Sequence, residues 1–459
     1  MKKYIKVLGI VLIFSVLILN EYTIAKMFTS DGTIEDTTGK IIIWGFDIFV
    51  LLLGLLIILL SGKIEKHYKK IIYYLRTTVI IILVSYVLFF AVDALYGYIN
   101  PIMPWESELE ITAKAAYETE PFYSEEFLLE KYAAMKPGEW KTPEGTRLIL
   151  KEEFFGKYIN AEPADFGSKN VVRRTINKYS YYDKDVIKVL MLGGSTMYCN
   201  DVPDDLTISS QLSEILNSSG KNKYFVINAG VDSANTSQEL ERLEFELKAG
   251  LRPDIVIGYH AYNDIVNGIY FNEPEGVMFD YESRNKVKEL IKKITPTNIY
   301  ERIRLEADKN NDNIRKVQEH LNDISKVREL AVRTGQVFTD NNLKMHELSL
   351  QYGFKYYCIV QPVGVYGDYP DSFEDVKRVR KWASKYMPKF FIACDEGYAV
   401  MKKSVEDLKK KNVAAYDWSG LFLNKKDNIF IDACHVNSKG NKIVAEAMAK
   451  MIQEQMPQE

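Results

Sequence analysis

Val186-Ile187-Lys188-Val189-Leu190-Met191-Leu192-Gly193-Gly194-Ser195-Thr196 is the stretch on which the fold turns. Apart from one lysine, its first seven residues are apolar. Such a run is too short for a buried helix and has the length and branching of a strand covered on both faces. Two glycines end it in a tight turn, and a serine stands at the mouth of whatever follows. Four comparable runs lie further on, at 224–228, 254–258, 354–360 and 413–418. Helix-patterned segments separate them, among them 208–216, 237–248, 342–351 and 400–411. Strands alternating with helices predict a parallel sheet with right-handed crossovers and helices on both faces.

Outward from this core, the segment 275–330 is too long for a simple connection. Its charged, helix-forming stretches (286–294, 299–308, 314–332) predict a helical insertion, either a lid beside the site or a solvated helical hairpin. Upstream, residues 101–184 carry Pro101, Pro104, Pro121, Pro137, Pro143 and Pro163, which break any long helix. They read as a juxtamembrane connector to a catalytic domain at 185–459.

The first hundred residues hold three apolar blocks, read as a membrane anchor with spans at about 5–25, 41–61 and 77–99. The first follows Lys2, Lys3 and Lys6 and suits either a signal peptide, with Thr23-Ile24-Ala25 as a cleavage site, or a signal anchor. Lys63, Lys66, Lys69, Lys70 and Arg76 separate the second block from the third, whereas Asp31, Glu35 and Asp36 lie between the first and second. The positive-inside rule makes 63–76 and the N-terminus cytoplasmic and everything after residue 100 extracytoplasmic. Asp47 and Asp93 lie inside apolar blocks, where a charge costs at least ~2.5 kcal/mol. Each is either functional or protonated, snorkelling or facing a neighbouring helix.

Over 459 residues the composition is 47% hydrophobic and 26% charged with a net charge of −3, and no clustered basic excess marks nucleic acid as a partner. Cys199, Cys358, Cys394 and Cys434 have no zinc-ligand spacing. Disulfides or small buried thiols both fit them.

Four signals fall where strands end. Ser195 follows Gly193-Gly194 and suits a nucleophile, a phosphate site or a helix cap. Asn228-Ala229-Gly230 closes the second strand and exposes a glycine N–H. Asn263, in Ala261-Tyr262-Asn263-Asp264, offers a non-titrating amide to a developing oxyanion. In Asp432-Ala433-Cys434-His435 a carboxylate sits three residues before an imidazole, spacing that lets one hold the other toward a serine. His260 contacts substrate, competes as a base or is a satisfied structural histidine.

The order of these four blocks resembles the SGNH/GDSL hydrolase family over roughly 185–450. The resemblance implies a three-layer α/β/α, flavodoxin-like fold with a five-stranded parallel sheet. It implies Ser195 as nucleophile, His435 as general base and acid, and Asp432 as its orienter. The oxyanion hole would be the N–H groups of Ser195 and Gly230 with the Asn263 amide. Two positions depart from the family pattern: Gly194 stands where an acid is usual, and Ala261 replaces a glycine.

The expected function is therefore that of an extracytoplasmic serine esterase or O-acyltransferase on the O-acyl groups, foremost O-acetyl, of cell-surface carbohydrate. It would need no cofactor or metal. Expected partners are the lipid bilayer, an acylated glycoconjugate and a membrane acyl-transfer protein. The rival expectation is a non-catalytic surface component that binds polysaccharide or proteins.

Overall fold

The five strands expected from the apolar runs are present with nearly the expected boundaries, whereas the helices expected at 342–351 and 400–411 begin well upstream, at Ile324 and Phe390. The computed structural model describes residues 2–18, 37–99, 120–134, 153–164, 170–218, 220–274, 319–369, 373–387, 389–425 and 428–455. The chain divides into two compact units, the first formed by Met1–Ile102 with Asp280–Asn311 and the second by the remainder.

In the first unit, helices α1 (Lys2–Ile18), α2 (Thr37–Leu59) and α3 (Ser61–Ile99) are described. α1 and α2 meet at two glycines: a Cβ on Gly54 would fall 2.8 Å from the Gly9 carbonyl oxygen, and one on Gly9 2.7 Å from that of Gly54. Small residues allow such backbone approach. The charged segment 63–76, read above as a loop, is helical. It holds no proline and only helix-tolerant residues after Gly62, so the backbone runs on through it into the apolar stretch beyond. α3 thus has 39 residues and a length of about 58 Å. Among the described residues no single helix is long and apolar enough to cross a membrane. Asp47–Leu59 and Ser61–Lys70, bent by 90° at their junction, pass that test as a pair. Asp47 is half-buried; the side chain of Asp93 lies outside the described residues, as does the proposed cleavage site near residue 25.

The second unit contains, in order, α4 (Glu125–Ala134), β1 (Phe154–Phe155), β2 (Asn160–Pro163), β3 (Val171–Arg173), β4 (Val186–Gly193), α5 (Ser195–Tyr198), α6 (Ile208–Ser218), β5 (Lys223–Asn228), α7 (Thr236–Ala249), β6 (Ile255–His260), α8 (Tyr262–Ile265), α9 (Ile324–Tyr352), β7 (Lys355–Val360), α10 (Glu374–Tyr386), α11 (Phe390–Lys410), β8 (Ala414–Asp417) and α12 (Ser438–Glu454). A π-helical turn, Val266–Tyr270, continues α8.

The sheet is mixed and eight-stranded, ordered β1-β2-β3-β5-β4-β6-β7-β8. The five-stranded expectation is corrected accordingly. β5, β4, β6, β7 and β8 are mutually parallel, and β1–β3 extend the sheet antiparallel from the β5 edge. The added strands are short and partly polar, and they come from the segment read as a connector. They earned no strand reading because two to four residues carry too little alternation to register. α6 packs on α12, while α7, α9 and α11 lie against one another in turn. The central strand β6 is buried at every residue, as strands covered on both faces must be.

Most of the expected insertion, 275–318, lies outside the described residues. Its last part belongs to α9, which runs unbroken from Ile324 to Tyr352 and absorbs the separately expected helix at 342–351. Asp323 caps it through the N–H groups of Ser325 and Lys326, and Gly353 ends it in a left-handed conformation.

β4 lies between β5 and β6, so the connections leaving β4 and β5 depart in opposite directions. This is the topological switch point of an open α/β sheet, where a crevice forms beyond the carboxyl ends of the strands. Ser195 is at that end.

Candidate active site

Ser195 is placed by close packing. A Cβ on Gly193 would lie 2.6 Å from the Tyr259 carbonyl oxygen and 2.7 Å from Met197 Cβ, so only glycine lets β4 turn directly into α5. α5 then buries Met197 and Tyr198 and leaves Ser195 half-buried at its start. As first residue of the helix, Ser195 has an N–H with no carbonyl one turn behind it.

His435 comes from a loop folded back on itself. Phe430 and Val436 form a bridge, and the Ile431 N–H donates to the His435 carbonyl at 2.9 Å. Within this turn Asp432 Oδ1 accepts the N–H groups of Cys434 (2.9 Å) and His435 (2.8 Å). Its other oxygen, Oδ2, lies 2.6 Å from His435 Nδ1. His435 Nε2 is 2.8 Å from Ser195 Oγ. Positions 240 apart in the chain thus share one hydrogen bond. Burial disfavours the Asp432 carboxylate, but the imidazole and the two backbone donors outweigh it and hold its pKa below the ordinary range. For His435, burial opposes the charged ring while Asp432, Cys434 and Asp201 favour it; the balance lies well above an ordinary imidazole.

The donors expected to surround an oxyanion are only partly assembled. Asn263 Nδ2 donates one hydrogen to the Ala234 carbonyl at 2.8 Å, and its amide carries a second. It sits directly against Gly194, where a Cβ would fall 2.2 Å from Asn263 Nδ2. Gly194 has φ −79° and ψ −155°, which any residue can adopt. Contact with the amide alone therefore excludes a side chain where an acid was the usual residue. Gly230 is required by a Cβ distance of 2.5 Å to Tyr198 N. Its N–H, however, donates to Asn228 Oδ1 at 3.0 Å, and Asn228 Nδ2 donates to the Met197 carbonyl at 2.8 Å. The expected role for Gly230 would need that internal bond exchanged for one to substrate. Ala261 has φ +100° and ψ −38°, a strained backbone for any residue with a Cβ.

Sequence reasoning missed two residues here. Asp201 Oδ2 lies 3.9 Å from His435 Nδ1, and Asp201 is itself paired with Lys131 of α4. Both are buried. Asp201 stands six positions after Ser195 in a loop with no motif, and Lys131 lies in the supposed connector. Only a buried lysine facing a buried acid betrays them, and burial is not visible in the chain.

No known family model matches this chain, and no curated protein matches it. Among solved structures it is similar to a GDSL-like lipase from Bacteroides thetaiotaomicron VPI-5482, at 11% identity over 59% of this chain and 89% of that one, with a TM-score of 0.32. A member of the lipolytic protein G-D-S-L family from Veillonella parvula DSM 2008 is 11% identical over 59% of this chain and 100% of that one, with a TM-score of 0.32. An acetyl xylan esterase from Geobacillus stearothermophilus is 13% identical over 60% of this chain and 97% of that one, with a TM-score of 0.31.

Two rival groups are accounted for locally. His260 Nδ1 lies 2.9 Å from Glu239 Oε2 and its Nε2 3.4 Å from Cys358 Sγ, all buried; this is a satisfied interior histidine. The four cysteines are free and buried. Burial first, against the pull of His435, pushes the Cys434 thiol up to about 11, which leaves it protonated and a poor nucleophile. Asp432, Cys434 and His435 bring three metal-type donor atoms within 4.8 Å of one another, but the carboxylate and Nδ1 already satisfy each other.

Proposed function

We propose that this chain is a serine esterase or O-acyltransferase in which Ser195 is the nucleophile, His435 the base and Asp432 its orienter. One observation carries the reading: the continuous hydrogen-bonded line from Asp432 Oδ2 through the imidazole to Ser195 Oγ, at 2.6 and 2.8 Å. A serine hydroxyl becomes a useful nucleophile only when a base takes its proton, and a base serves only when a third group fixes its tautomer. Ser195 Oγ attacks an ester carbonyl as its proton passes to Nε2. The resulting imidazolium is stabilised by Asp432, and the oxyanion by the Asn263 amide and the Ser195 N–H. His435 then protonates the departing alkoxide. The acyl-serine is released to water or to an acceptor hydroxyl.

The substrate reading is an O-acetyl group on a cell-surface carbohydrate, with the catalytic unit outside a membrane held by residues 1–100. The charge asymmetry about 63–76 supports that placement. So do the apolar side chains that α2 and α3 leave uncovered within their own unit, including Phe49, Leu52, Leu59, Val87 and Leu88.

The test is labelling of the detergent-solubilised chain with a serine-reactive fluorophosphonate. Wild type should label and Ser195→Ala should not; a folded wild type that stays unlabelled would turn the reading toward a binding protein. Mass spectrometry of acetylated glycans incubated with the chain, with and without an acceptor, then separates hydrolysis from transfer. An exterior-active reporter fused after residue 100 should be active, and one fused near Lys69 silent.

A further inference from the structure

We propose that Asp201, held from behind by Lys131, is a second carboxylate acting on His435: a positioning residue that raises the pH at which Ser195 becomes nucleophilic. The inference rests on the Ser195–His435 reading above and adds to it a charge that the Asp-x-x-His spacing does not supply.

The geometry is specific. Two carboxylate oxygens approach the same ring nitrogen, Asp432 Oδ2 at 2.6 Å and Asp201 Oδ2 at 3.9 Å. The first is within hydrogen-bond reach; the second acts through space, in a region where burial keeps water from screening it. Asp201 comes from the loop after α5, so it is carried by the same turn that presents Ser195. An isolated buried carboxylate would take up a proton and lose its charge. Lys131 prevents this: burial raises the Asp201 pKa, but Lys131 and then His435 outweigh it, and the acid stays ionised. Side-chain exposures of 10% for Lys131 and 7% for Asp201 place the pair in the interior. Among the described residues, the other titratable groups facing the imidazole are Asp432 and Cys434 from its own loop; Cys199, behind α5, is buried and its thiol is held up to about 12, hence neutral.

Asp201 puts an oxygen 3.9 Å from Nδ1 and its charge favours the protonated ring; Lys131 carries the opposite charge and partly offsets it. Removing Asp201 alone takes away the anion and keeps the Lys131 cation, so the neutral ring is favoured most strongly. Removing both charges together gives a smaller change.

The experiment measures the rate of fluorophosphonate labelling against pH, from 5 to 10, on the full chain in detergent. In wild type the rate should rise with a midpoint above that of an ordinary imidazole. Asp201→Asn should lower the midpoint by about one pH unit, so that labelling on the acid limb is up to about tenfold faster than wild type. Lys131→Met combined with Asp201→Asn should fall between the two. The double variant removes a buried ion pair as a unit, a change that proteins often tolerate in stability, and it keeps the test open if the single variant fails to fold. An unmoved or raised midpoint, or a uniform loss at every pH, would mean that the pair is only structural. Wild type that never labels at Ser195 would instead overturn the nucleophile reading itself.

Discussion

Replacing Gly194 with alanine tests how the site is built. The new Cβ would start 2.2 Å from Asn263 Nδ2 and 3.2 Å from the Ala234 carbonyl oxygen. An ordinary contact begins near 3.4 Å, so the amide must retreat by about 1.2 Å. That movement breaks its 2.8 Å bond to Ala234 and withdraws it from the oxyanion it is proposed to stabilise. A displacement of about 1 Å at a reacting centre costs on the order of 10²-fold in rate. Loss of one oxyanion donor costs ~10²–10³-fold, or about 2.7–4 kcal/mol. Gly194→Ala and Asn263→Ala should therefore each lower kcat for p-nitrophenyl acetate by at least about 10²-fold. Since both act through one amide, the double variant should be no worse than the poorer single one, with thermal unfolding as the control for intact structure. If the two losses multiply to about 10⁴-fold, Gly194 does not act through Asn263 and the reasoning is wrong.

Three further outcomes follow from the geometry. Ala261→Gly relieves a positive φ worth about 1–3 kcal/mol of strain against about 1.3–1.8 kcal/mol for the added chain freedom and the lost buried methyl group. Unfolding should shift upward by about a degree or two; a clear downward shift would show that Ala261 is unstrained. His260→Ala strands the buried Glu239 carboxylate and should destabilise the fold by about 3–5 kcal/mol in denaturant titration, and a change under 1 kcal/mol would mean the pair is not buried. His435 must be neutral to accept the serine proton, and its pKa is raised, so ester hydrolysis should fall away as pH drops through a value above the ordinary imidazole range; an acid limb at or below that range would contradict the two-carboxylate environment.

What the chain disclosed by itself follows from the range of its interactions. β4 to β8 were readable because a strand buried on both faces must be apolar nearly throughout, and the helices between them because their apolar positions recur at helical spacing. Ser195, Asn263, Asp432 and His435 were readable because each lies at or just beyond a strand or loop end, where side chains at the carboxyl edge converge. The contribution of residues 120–184 was not. β1 to β3 are short, and β3 is tied to β5 by a single residue pair, Arg173 with Asn228. Lys131 lay in a segment read as a connector, with nothing in the chain to mark it as buried. Nor was the engagement of Gly230 by Asn228 visible, because a side chain two positions away chose the partner. The helical continuity across 63–76 was hidden by a charge cluster that fits a loop and a helix equally.

The antiparallel extension also fixes where this chain can be cut. A truncation starting at residue 185 would keep Ser195, Asp432 and His435 yet strip the β5 flank of its neighbour, offering an open strand to other molecules. It would leave Asp201 without Lys131 and Asp204 without Arg173, and would deprive Ser438, at the head of α12, of the Glu120 carboxylate that accepts its N–H and hydroxyl. Excision ahead of Glu120 retains all of these, and is the natural place to divide the sheet-bearing unit from the N-terminal helices.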